Sequence, residues 1–162
     1  MNCPDVVGIT GVLPILEPVR VLTNVITQQA NQLIARGMSE RLGQSVEACL
    51  GRFGRYWVRF AERGSYGHIL DFTGSDLVSF IQNLDRMHQA VLSAMPAAQV
   101  PSFSVVRHED GKLRVKHNSE RAGLEPFVVG LLQGLLDRFG LEGEVEQVES
   151  MSNSAEFAVV YR

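Results

Sequence analysis

The chain has little cysteine, no excess of basic charge and no long apolar run, and each shortage removes a class of protein. Cys3 and Cys49 are its two cysteines and show no CxxC spacing, which excludes a disulfide framework and a zinc ribbon. Fifteen Lys and Arg stand against eighteen Asp and Glu, a net charge of −3, where a nucleic-acid binder usually shows a strongly basic face. No stretch approaches the ~20 apolar residues of a membrane span. Met1–Leu22 lacks the basic start and continuous apolar segment of a signal peptide. GxSxG, P-loop and HExxH motifs are missing, as is a GxGxxG after a strand, so catalysis is not expected. What is there is globular: 162 residues, 45% hydrophobic and 20% charged, enough for one domain with its own core. The expectation is a single cytoplasmic domain over residues 1–162, partnered by neither nucleic acid nor membrane.

Pro4, Pro14 and Pro18 break any helical period in residues 1–22, because each removes a donor and blocks the preceding turn. A helical pattern runs from Asn24 to Leu42 (Ile26, Ala30, Leu33, Ile34, Met38) and stops at Gly43. Ser45 reads as the N-cap of a helix to about Glu62, with Val46, Leu50, Phe53, Trp57 and Phe60 as its apolar face. Arg52, Arg55, Arg59 and Arg63 form a stripe on another side, expected to be solvated. Tyr66–Phe72 is a short helical or loop piece, and Ser75 is expected to cap a helix through Met95, ended by Pro96. The period then changes to two. Phe103–His108 and Leu113–His117 flank Glu109-Asp110-Gly111 as a hairpin, Leu124–Phe139 is an apolar helix, and Val145–Glu149 and Glu156–Tyr161 are two more strands. Helices followed by ββαββ make the fold α+β, with a small antiparallel sheet.

His88 stands out chemically. It shares a helix face with Leu77, Ile81, Leu84 and Leu92. A histidine in such a place is ordinarily a core residue, but as a ligand its neighbours suit a large hydrophobic cofactor held by one imidazole. Arg121 follows a strand and opens a helix; it either pairs with Glu120 or Glu125 or, with Ser119, clamps an anion through its guanidinium fork.

Several stretches together resemble the haem nitric oxide/oxygen-binding (H-NOX) family, the sensor domain of bacterial signalling proteins and soluble guanylate cyclase. They are Phe53-Gly54-Arg55-Tyr56-Trp57-Val58, Tyr66-Gly67-His68-Ile69-Leu70 and Asn83-Leu84-Asp85-Arg86-Met87-His88. Pro101-Ser102-Phe103, Ser119-Glu120-Arg121-Ala122-Gly123-Leu124 and Val128-Val129-Gly130-Leu131-Leu132 continue the match in order from about Val25 onwards. The resemblance implies a helical distal half and a proximal half containing the sheet. It implies haem b as cofactor, with His88 as the proximal iron ligand. Ser119 and Arg121 fall on the last two members of the family's YxSxR propionate clamp, with His117 in place of the tyrosine. Pro101 falls on the proline that packs against the porphyrin, Trp57 and Phe127 fall on positions lining the distal pocket, and Leu84 is expected at the cofactor as well. Residues 1–22 depart from the family as a shortened segment.

The function so implied is a haem-based gas sensor that binds nitric oxide and carbon monoxide and signals to a histidine kinase or cyclic-dinucleotide enzyme in trans. The competing expectation is a haem-free module of the same fold that acts by protein interaction, which the His117 replacement and the short start would favour.

Overall fold

The computed structural model describes residues 36–37, 39–64, 67–94, 100–120 and 122–162. The expectations for residues 1–22, and most of that for the 24–42 helix, lie outside them. Residues 39–42 are helical and stop where expected, at Gly43, whose φ of 62° a glycine adopts without strain.

Helix α1 (Val46–Arg63) starts as its sequence implies: Ser45 is extended and its side chain accepts from the Ala48 N–H at 3.2 Å. Its buried line, however, is Cys49, Leu50, Gly54, Val58 and Ala61, not the aromatic line expected; Phe60 is 48% exposed. The reason is close approach. α1 packs on α4 (Glu125–Arg138), and a methyl group on Gly54 would collide with the Phe127 carbonyl oxygen, one on Gly130 with that of Gly51. Backbones in contact leave room for small residues only, so the aromatics are displaced to the side of the crossing.

The arginine stripe is likewise not simply solvated. Arg55 donates twice to Asp137 at 2.7 Å, and Arg59 once at 3.3 Å, tying α1 to the end of α4. Arg138, its side chain 8% exposed, reaches Glu62 at 2.8 Å and Asp71 at 2.6 Å. Asp71 lies on α2 (Gly67–Thr73), so one arginine joins three helices.

Helix α3 spans Leu77–Ala94. Its cap is Asp76, not Ser75: the Asp76 carboxylate accepts from the Ser79 N–H at 2.9 Å, and Ser79 Oγ accepts in return from the Asp76 N–H at 3.3 Å. A carboxylate there has the helix dipole in its favour as well as the hydrogen bond.

The strands are β1 (Ser102–Glu109), β2 (Lys112–Asn118), β3 (Gly143–Met151) and β4 (Ser154–Tyr161), all antiparallel in the order β1-β2-β4-β3. The hairpin turn holds Gly111 at φ 69°. Alternation decides which side each strand buries: Phe103, Leu113, Val115, Ala155, Phe157 and Val159 join Leu77, Phe80, Ile81, Val128, Leu132 and Leu136 in the main core. Each of these side chains other than Ala155 contributes about 1.5–3 kcal/mol on removal from water. The fold is α+β as read from the sequence. Among the described residues no helix is long and apolar enough to cross a membrane.

Candidate functional site

His88 lies two-thirds of the way along α3, half-buried, and its Nδ1 is 2.8 Å from the Pro101 carbonyl oxygen. A carbonyl only accepts, so Nδ1 carries the proton and the lone pair sits on Nε2. The contact has a brace. Three residues before His88 on the same helix, Asp85 accepts from the Phe103 N–H at 2.7 Å, which fixes the chain just beyond Pro101. The sequence signals this role of Asp85 only by an aspartate three residues before a candidate ligand. Burial holds the His88 pKa below the ordinary value, against the opposing pull of the Pro101 carbonyl and the Asp85 charge. The side chain is therefore a neutral imidazole near pH 7, the form that ligates metals.

His117 points inward from β2 and is 6% exposed. Its ring stacks obliquely on Phe103 (centroids 4.8 Å apart) and meets Phe157 at 6.5 Å, while the Phe103 and His88 rings are 6.1 Å apart. Burial, and then the neighbouring His88, push its pKa down to about 4. Protonation, which would have strengthened its grip on a propionate, is thus opposed above that pH. A neutral ring keeps one N–H to donate. Ser119 follows β2, its N–H donating to the Asn153 carbonyl at 2.9 Å, and lines a shallow groove with His117, Glu125 and residues 151–155. Arg121 lies outside the described residues.

The structure thus brings His88, Pro101 and His117 together around Phe103, with Leu84 packed on the adjoining core. Phe127 and Trp57 belong to a second cluster, with Leu50, Val46, Phe53 and Leu131. Phe53 links them, 5.5 Å from Phe127 and 5.9 Å from Trp57. Phe127 is on the first turn of α4, which Pro126 opens without forfeiting a hydrogen bond.

The donor set restricts what could bind. Among the described residues no group of three or more His, Cys, Asp or Glu could hold a metal ion. One neutral, oriented imidazole in apolar surroundings suits a metal whose other donors arrive with it, as in a haem. The His88 side chain fits such a group.

A family model described as Haem-NO-binding matches residues 17–147. Soluble guanylate cyclase 89Da of Drosophila melanogaster is 27% identical over 121 residues, 74% of this chain and 18% of that protein. Guanylate cyclase soluble subunit beta-2 of Rattus norvegicus is 32% identical over 94 residues, 58% of this chain and 14% of its own length. The chain therefore spans less than a fifth of these relatives. Among solved structures, the Fe(II) unliganded H-NOX protein from K. algicida superposes with a TM-score of 0.66 at 20% identity, covering 79% of this chain and 69% of that one.

Proposed function

Because the chain belongs to the haem-NO-binding family, whose members are sensor domains and not catalysts, we propose that it is a cytoplasmic haem-based gas sensor, one domain over its whole length, that responds to nitric oxide and carbon monoxide. One observation supports the reading: the Nδ1 of His88 is committed to Pro101 at 2.8 Å, which leaves the lone pair of Nε2 available for a metal. Haem b, when bound, would supply the iron at which a diatomic gas is held.

The chain's residues do the rest. His88 orients through Pro101 and is steadied by Asp85. His117, Ser119 and Arg121 are the propionate anchors, with Arg121 giving the charge-assisted contact. Pro101 and Leu84 shape the proximal wall, and Phe127 with Trp57 the distal one, keeping water out. Phe127 offers no hydrogen-bond donor to a polar diatomic ligand, so oxygen gains no stabilisation there, whereas nitric oxide and carbon monoxide depend little on such a donor.

Movement of His88 pulls on Pro101 and, through Phe103, on the inner face of the sheet, which makes α3 and β1 the element that transmits the signal. The effector is a separate histidine kinase or cyclic-dinucleotide enzyme, or a cyclase region such as the names of the curated relatives suggest.

A second reading, a haem-free interaction module, is favoured by one observation: the imidazole of His117 packs between two phenyl rings. Titrating the haem-free chain with ferrous haem separates them. A sensor gives a Soret band at one haem per chain, a raised thermal midpoint and spectral shifts with nitric oxide and carbon monoxide. No band and no stabilisation would leave the interaction module.

A further inference from the structure

The outer face of the sheet carries a charge pattern that the haem reading does not use. The alternate residues of each strand, opposite to the buried set, form columns. The β2 column is Lys112, Arg114 and Lys116; the β3 column is Glu144, Glu146 and, past a register shift between Gln147 and Glu149, Glu149. β4 lies between them with Val160, Ala158 and Glu156. The register places these side by side in three rows: Lys112, Val160, Glu144; then Arg114, Ala158, Glu146; then Lys116, Glu156, Glu149. A basic and an acidic column thus face the same way, ~10 Å apart across one intervening strand.

Within one chain the columns do not neutralise each other. Among the described residues, Glu156 is met by Arg114 at 3.8 Å, while Lys112, Lys116, Glu144, Glu146 and Glu149 enter no ion pair. Val160 stands 52% exposed between Lys112 and Glu144.

We infer that this face docks a second copy of the same chain, β2 of one copy lying over β3 of the other. Symmetry selects the arrangement. A two-fold axis across the strands would set each basic column on its own copy, which like charge forbids. One running along β4 exchanges left and right, so Lys112 meets the other copy's Glu144, Arg114 its Glu146 and Lys116 its Glu149, each contact made twice. Val160 and Ala158 then meet their own counterparts on the axis. Glu156 also meets its counterpart, and Arg114 beside it supplies the balancing charge. Three overlapping strands of about seven residues cover roughly 700 Å² over both copies, below the ~1,200 Å² of stable complexes. The dimer is weak and held by charge, and salt must control it.

Sedimentation velocity of the whole chain over a concentration series tests this. At about 0.01 M salt the weight-average coefficient should rise with concentration, and at about 1 M salt, where screening reaches ~3 Å, it should stay monomeric. Lys112→Glu and Glu144→Lys, both at exposed positions, should each weaken association by about tenfold or more, because two attractive contacts become repulsive. An equimolar mixture of the two variants should regain it, since every altered contact is then between opposite charges. A chain that stays monomeric at low salt, single variants that dimerise as before, or a mixture that stays monomeric each overturn the inference, and none bears on haem binding.

Discussion

The Nδ1 atom of His88 and the carbonyl oxygen of Pro101 lie 2.8 Å apart, joining α3 to the entry of β1. Because the partner is a backbone atom, no side-chain replacement at 101 removes it. What can be removed is its brace. Asp85→Ala deletes the acceptor that holds Phe103 N–H at 2.7 Å. A charged acceptor lost from a part-buried N–H costs about 1.5–3 kcal/mol, and loosening a ligand's outer partner weakens metal retention by roughly tenfold or more. Urea unfolding and the rate of haem transfer to an acceptor protein read the two effects separately.

Gly130→Ala should be among the most damaging single-methyl additions. The new carbon meets the Gly51 carbonyl oxygen and the Arg55 amide of α1, and backbone yields less readily than side chain. Overpacking of this kind costs about 1–3 kcal/mol or more. By contrast Gly140→Ala, where nothing lies near but φ is 66°, should cost about 1 kcal/mol through backbone conformation alone. Thermal midpoints of the two variants compare them.

Acidification should destabilise the haem-free chain in a window set by His117. Its folded pKa, about 4, lies below its ordinary 6.5, so the unfolded chain takes up the proton first. Stability is full above pH ~6.5, falls as pH drops and levels near 4, a loss of up to roughly 3 kcal/mol. His88, also lowered, acts in the same direction. Asp76 and Asp137, lowered from 3.8, lose their contribution only at more acid pH. His117→Phe should flatten much of the slope between pH 6.5 and 4 in denaturation midpoints measured across that range.

Phe127→Tyr tests ligand choice. A hydroxyl on that ring introduces a donor into the cluster proposed as the distal wall, which favours oxygen more than nitric oxide or carbon monoxide. In air, the ferrous wild type is expected to give no persistent oxygen complex, and the variant to shift toward one. An oxygen complex equally persistent in both would remove Phe127 from the distal wall.

Much of the fold was legible because it rests on local signals. Ser45 capped its helix as read, the Asp110-Gly111 turn sits where its residues require, and the period-two stretches became strands that run one or two residues further at one or both ends than expected. Asp76 took the cap from Ser75 because either side chain can accept and sequence does not tell which is in register. The α1–α4 crossing was not legible. A glycine in a helical pattern reads as a mere weakness, and only with Gly54 against the backbone of Phe127 and Gly130 against that of Gly51 does it become a contact. Arg55 and Asp137, 82 residues apart, pair for the same tertiary reason. Of the candidate site, His88 was visible on its apolar face and by resemblance, whereas the Pro101 carbonyl that sets its tautomer carries no side-chain signature at all.

The most direct test is the absorption spectrum of His88→Gly, mixed with ferrous haem with and without imidazole in solution. With Nε2 as the protein's iron ligand, the variant should hold haem poorly alone and recover an imidazole-ligated spectrum when imidazole fills the space left by the side chain. A spectrum in the variant without imidazole identical to that of the wild type would contradict His88 as the ligand.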